Sequence, residues 1–192
     1  YDKGNVSKIN QNSVAQSELH YVASLTADSQ RAIIAEANAH LESVKLDEDE
    51  SVMAYRTRQT VWGAERTVVV VLSETLRAGQ IRGIMQHVAS AQKHLQELAD
   101  TLRRGKQKRS QAKIQRDIET RLMGRQHLND VLRFHLSGTG RALTLTWEFD
   151  QVKLDTLARD WLGRLVLMTD RHDWSTSEII LAYRGQSTIE AV

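Results

Sequence analysis

The chain has 192 residues, 41% of them hydrophobic, with 26 Lys and Arg against 24 Asp and Glu, a net charge of +2. That composition supplies a core and excludes a disordered chain; the absence of cysteine excludes a disulfide framework and cysteine-ligated zinc, and fits a reducing compartment. No apolar run approaches the ~20 residues that span a bilayer, and the near-balanced total leaves the distribution of charge to be read: acidic at 45–50 (KLDEDE), densely basic at 103–116 (RRGKQKRSQAKIQR).

In chain order, residues 5–17 read as a polar helix and HYVASLT (20–26) as a short strand. SLTADSQRAIIAEANAHL reads as a turn and then a helix, with Asp28 as its N-cap. VMAYRTR has the alternation of a strand, WGAE (62–65) is a turn, and the β-branched run RTVVVVLS (66–73) suits a buried strand, which makes a hairpin across 52–72. From Ile81 the period changes. Ile81, Ile84, Val88, Ala91, Leu95, Leu98 and Leu102 form one helical stripe, and Ile114, Ile118, Leu122, Leu128 and Leu132 a second, less regular one. Gly105 lies between them, so the expectation is an antiparallel helical hairpin with the basic cluster at its tip; a dimeric coiled coil is the alternative. ALTLTWEFD (142–150) returns to strand, QVKLDTLARDWLG is a helix ending at Gly163, and RLVLMTD (164–170) is another apolar strand. Ser175 begins the last helix, with Glu178 at the capping-box spacing.

On that last helix Tyr183, Gln186 and Glu190 fall at steps of three and four, on one stripe that Ile179 extends backwards. A carboxylate in such a stripe is either solvated at the helix end or, facing a core, needs a cation; carboxylate oxygens suit Mg²⁺ or Mn²⁺.

The segment LMTDRHDWSTSEIILAYRGQSTIEAV resembles the C-terminal catalytic segment of insertion-sequence transposases of the DD-E type, which have a ribonuclease-H-like core. That segment runs Tyr, two residues, Arg or a substitute, three residues, Glu, six residues, Lys. Tyr183, Gln186 and Glu190 match its first three places, with Gln where Arg is commoner, and the Lys would fall beyond Val192. The opening YDKGNVSKIN resembles the end of a core strand carrying the second acidic residue, here Asp2, and YRTRQTVWGAERTVVVV is similar to the middle of the same proteins.

The resemblance implies a mixed α/β (α+β) fold: a partial ribonuclease-H-like core interrupted by an insertion domain of β-sheet plus a long helical hairpin. Residues 1–44 would be core, with HYVASLT its last strand; 45–172 the insertion; and 173–192 the core helix bearing the Glu. It implies metal-dependent DNA cleavage and strand transfer, with Asp2 and Glu190 as catalytic residues and ligands of two Mg²⁺ or Mn²⁺ ions. The first Asp of the trio would lie upstream of Tyr1, so the chain is expected to be a fragment, inactive alone. Tyr183 and Gln186 would hold a phosphate beside the scissile bond, although Tyr183 also reads as packing. Trp62 would stack on an unpaired base or pack under its hairpin. Lys106, Lys108 and Arg109 would meet phosphates or form a solvated loop. The implied partners are transposon-end and target DNA, with a homodimer in the DNA complex, in the cytoplasm of a bacterium or archaeon at the nucleoid. Two other readings stand beside this one: a non-catalytic helical module that binds nucleic acid or protein, and a decayed element without function.

Overall fold

Four consecutive valines, Val68–Val71, are buried on both faces of one strand, and the main sheet is built around them. The computed structural model describes residues 20–104, 110–121 and 124–189, the last four by backbone alone. The helix expected at 5–17 lies outside them. The described chain forms two compact units, 1–77 with 163–192, and 78–162.

The first unit holds a five-stranded sheet in the order β1-β7-β4-β3-β2, every pair antiparallel: β1 (Val22–Leu25), β2 (Glu42–Lys45), β3 (Ser51–Val61), β4 (Ala64–Leu72) and β7 (Arg164–Thr169). Side chains alternate between faces along each strand. On one face Val22, Val69, Val71 and Leu167 pack with Ile179 and Ile180 of the last helix, α6 (Thr176–Ile189). On the other lies α1 (Arg31–His40), with Ile33, Ile34 and Ala37 buried. Arg164 fixes α1 to the sheet by donating from Nε and Nη2 to Asn38 Oδ1 (3.1 and 2.7 Å), and Tyr55 donates to Glu36 (2.5 Å). Asp28 is not the N-cap expected. It lies inside a 3₁₀ turn, Ala27–Gln30, and pairs with Arg31 at 3.8 Å, while Gln30 takes the cap position.

This sheet crosses the boundary expected at 44/45. The strand 22–25, expected in the core, is hydrogen-bonded to 164–169, expected in the insertion, and 42–45 pairs with 51–54. The division into compact units therefore differs from the one expected, because backbone pairing binds those segments into one layer. The mixed α/β class holds, with a mainly antiparallel sheet.

The second unit carries most of α2 (Glu74–Arg103), then α3 (Gln111–Arg121), α4 (Leu128–Val131), a two-stranded ribbon of β5 (Leu132–Ser137) and β6 (Thr144–Phe149), and α5 (Gln151–Asp160). Ile84, Val88, Ala91, Leu95 and Leu102 share one core with Ile114, Ile118, Leu128, Leu136, Leu145 and Leu154. The two apolar stripes are thus consumed inside the unit, which removes the reason for a dimeric coiled coil. Of the second stripe, Ile114 and Ile118 lie on α3, Leu128 opens α4, and Leu132 opens a strand, not a helical turn.

The chain leaves β4 and re-enters β7 at one junction. The Ser73 N–H donates to the Gly163 carbonyl (2.8 Å), and the Arg77 N–H to the Ser73 carbonyl (2.9 Å). Gly163 has φ +78°, and a Cβ there would sit 2.6 Å from Arg77 Cβ and 2.8 Å from the Ser73 oxygen. Gly163→Ala is therefore expected to cost more than the roughly 1–2 kcal/mol of left-handed backbone alone. Thermal or urea unfolding of the purified chain measures it; an unchanged midpoint would contradict the crowding.

Candidate functional site

The sheet end where β1 begins and β7 finishes collects side chains that are distant in sequence. Thr67 and Thr169 are neighbours across the β4–β7 ladder and both are fully buried. Thr169 Oγ1 donates to the Tyr21 carbonyl (2.6 Å) and accepts from the Arg171 N–H (3.1 Å). Thr67 Oγ1 meets His172 Nδ1 at 2.9 Å. Asp170 takes His20 Nδ1 on one oxygen (3.0 Å) and the Tyr21 N–H on the other (3.3 Å). Arg66 Nε donates to the Tyr21 hydroxyl (2.6 Å). Burial pushes the Tyr21 phenol up, and the Arg66 guanidinium opposes part of that rise.

The loop from Asp170 to Ser175 then leads into α6. Arg171 binds Asp173 through two parallel bonds (2.9 and 2.6 Å) and lies 5.1 Å from the centre of the Trp174 ring. The Arg171 bonds hold Asp173 well below its usual 3.8, at about 2. Arg56 of β3 reaches over from below, giving one guanidinium nitrogen to the Trp174 carbonyl (2.5 Å) and the other to the His172 carbonyl (2.9 Å).

At the start of α6 the capping box forms as the spacing predicts. The Ser175 N–H donates to Glu178 Oε2 (2.6 Å), and the Glu178 N–H donates to Ser175 Oγ (3.2 Å). Tyr183 is half-buried, its ring packed with the Val22–Ile179–Ile180 cluster. Arg184 reaches the acidic loop after β2, at Glu50 (2.8 Å). Gln186 falls within the helix, with no side chain described, and Glu190 lies past the described residues, as do Asp2, Lys106, Lys108 and Arg109. Of the eight site residues drawn from the sequence, the structure therefore places the side chains of Tyr183 and Trp62.

Trp62 stands at the tip of the β3–β4 hairpin, 39% exposed, where Val61 pairs with Ala64. It is not tucked under the ribbon. Trp62 and Gly63 have φ +51° and +88°, the two positive values of a type I′ turn. Residues 64–66 of β4 pair with β3 but lie beyond the β7 register, so the ribbon's far end reaches past β7. Arg58 pairs there with Glu65 at 3.3 Å.

The partners of His20 and His172 lie 150 and 105 residues away, and no local spacing signals such pairs. Among the described residues no group of three or more His, Cys, Asp or Glu comes together to hold a metal ion. No helix among them is long and apolar enough to cross a membrane. Comparison of the chain with protein-family models, curated proteins and solved structures gives no match.

Hydrogen bonds from Ser175, its backbone N–H first, pull the Glu178 carboxyl below its ordinary 4.5. With the folded value below the unfolded one, that bond stabilises α6 above pH 4.5 and is lost as pH falls through the folded value. Asp173 behaves likewise, losing its contribution as pH falls from 3.8 towards 2. Glu178→Gln should flatten the acid limb of a pH–stability curve, and Ser175→Ala should cost about 1 kcal/mol at neutral pH. Acid limbs that superimpose for wild type and Glu178→Gln would remove the box from the account.

Proposed function

We propose that this chain is part of a DD-E transposase that cuts DNA and joins the cut end to a new site. The observation that carries the reading is that the last helix packs on β1. Ile179, Ile180 and Tyr183 of α6 share one apolar cluster with Val22 of β1. The family pattern expects both segments, HYVASLT and 173–192, in its core. The family's ribonuclease-H-like core belongs to the same proposal, with β1 as one of its strands.

The reaction needs in-line attack on a phosphodiester, first by water and then by a DNA hydroxyl. Two Mg²⁺ or Mn²⁺ ions would activate the attacking oxygen and stabilise the leaving one. The described residues contain no ligand group of their own. The ions would fall to Asp2 and Glu190 with an upstream carboxylate, and carboxylate oxygens are the donors that such ions take. Tyr183 and Gln186 would hold the phosphate next to the cut. The half-buried ring of Tyr183 suits this, because packing limits its rotamers while the hydroxyl sits at the ring's far end. The basic residues Lys106, Lys108 and Arg109 would neutralise phosphates, and Trp62 would stack on an unpaired base. Transposon ends and target would be the DNA partners, in a homodimer, at the nucleoid of a prokaryotic cytoplasm.

In the protein carrying the complete acidic trio, Glu190→Ala should reduce Mn²⁺-dependent nicking of end-bearing DNA to background while leaving the Kd for that DNA unchanged. Normal nicking by the variant would take Glu190 out of the chemistry, and absence of nicking by the unsubstituted protein would leave the non-catalytic binding module as the better reading.

Neutralising Lys106, Lys108 and Arg109 together should lower the slope of log K against log salt by up to about 3. Trp62→Ala should weaken binding of DNA with an unpaired base by about 1–3 kcal/mol, with little change for intact duplex. An unchanged salt slope, or equal losses on the two DNAs, would return the respective residues to a solvated loop and to a surface side chain.

A further inference from the structure

Arg56 is half-buried on β3, on the sheet face that α6 covers, and its neighbour across the ladder is Val69, part of the cluster beneath Ile179 and Ile180. An arginine in that place is costly to desolvate unless its donors are used. Its two terminal nitrogens go to the main-chain carbonyls of His172 and Trp174, two residues apart in the loop that feeds α6. A planar fork spans two such acceptors at once, whereas a lysine ammonium is a point donor on a flexible stem. Thr67, one rung further along the same face, holds the His172 ring. Both tethers come from the β3–β4 ribbon. They act on main-chain and ring atoms immediately before Ser175, where the capping box sets the first turn of the helix.

We propose that Arg56 is a positioning residue for α6: by clamping the carbonyls of His172 and Trp174 it fixes where the helix starts on the sheet, and so where Tyr183 stands. The consequence for DNA cleavage rests on the transposase reading; the clamp itself does not. Charge-assisted bonds to neutral carbonyls are among the stronger single contacts. Neither carbonyl is engaged in a strand ladder, so loss of the fork frees the loop without breaking sheet hydrogen bonds. Helix α6 then keeps its sequence, its cap and its apolar face but loses the contact that sets its starting point.

Amide hydrogen exchange on the 192-residue chain tests the clamp. In Arg56→Ala the amides of Ile179–Arg184 should exchange about tenfold faster, the change expected from one such bond, while those of Val166–Met168 in the central strand stay as protected as in wild type. Arg56→Lys, able to engage one carbonyl at a time, should fall between the two. Exchange in α6 equal to wild type would overturn the proposal, and so would an equal rise across the sheet, which marks general destabilisation. If Arg56→Ala does not fold, Thr67→Val removes the second tether at nearly constant volume and should give the same local pattern; no local effect there overturns the proposal equally. In the protein with the complete acidic trio, Arg56→Lys should lower the nicking rate at saturating DNA without raising KM. Absence of nicking by the unsubstituted protein would fault the transposase reading alone, because the exchange result decides the clamp independently.

Discussion

The antiparallel pairing of Ala64–Leu72 with Arg164–Thr169 is the constraint from which the rest of the first unit follows. It makes β7 a central strand, with β4 on one side and β1 on the other, and both faces of β7 are filled by apolar side chains. It also brings Ser73 and Gly163 within one hydrogen bond, so the long connection between β4 and β7 departs and returns at a single place. The entropy of closing that connection is modest. A loop grown from a few residues to about ninety passes through some four doublings, roughly 2–3 kcal/mol in all. The intervening segment has a core of its own, built on Leu95, Ile118, Leu128 and Leu132, which accounts for its order without help from the sheet.

The same strand decides where polar groups can stand. Past Thr169 the chain must leave a sheet that is buried on both faces, and each main-chain group that leaves the ladder needs another partner. Thr169 turns back to the Tyr21 carbonyl, Asp170 caps the Tyr21 N–H, and Arg56 takes the carbonyls of His172 and Trp174. The result is a loop ordered by side chains from β3, β4 and β7 and by the main chain of Tyr21, followed at once by a helix whose first turn is satisfied by Ser175 and Glu178. Surface ion pairs in this region, such as Arg171 with Asp173, contribute little each in water. The buried threonine hydroxyls and the half-buried Arg56 are the contacts whose removal would strand polar atoms.

Where one face of an element repeats strongly, the sequence showed it. The α2 stripe from Ile81, the valine strand, the hairpin at Trp62–Gly63, the break at Gly163 and the box at Ser175 and Glu178 all stand where local pattern puts them. Two strands escaped. Glu42–Lys45 is an edge strand with no buried residue, so it carries little hydrophobic alternation, and Leu132–Ser137 begins on Leu132, which also fits the preceding helical stripe. The 3₁₀ turn at Ala27–Gln30 shifted the start of α1 and displaced Asp28 from the cap. Of the candidate site, the helix that carries Tyr183 and the exposed ribbon tip were legible. The Arg56 clamp and the two histidine pairs were not, because each joins residues more than a hundred positions apart and depends on strand register. Sheet order is likewise a long-range property, which explains why the expected core boundary at residue 44 fell between strands that pair.

Trp62 shows how a broken local rule can be weighed. A type I′ turn needs left-handed backbone at both central positions, and Gly63 meets that need without cost, whereas a bulky side chain at the first position is strained by roughly 1–2 kcal/mol. Packing covers part of the indole, which stays 39% exposed at the end of a ribbon whose flanking residues are Thr60, Glu65 and Arg58. Asn would serve the turn better. The strain is borne where part of a flat aromatic face meets solvent beside a basic strand. Such a face suits stacking on a base, which tolerates any sequence because every base presents a π surface. Under the transposase proposal Trp62 would be such a contact, carried at the end of the ladder that runs from Val61–Ala64 down to Arg58–Thr67.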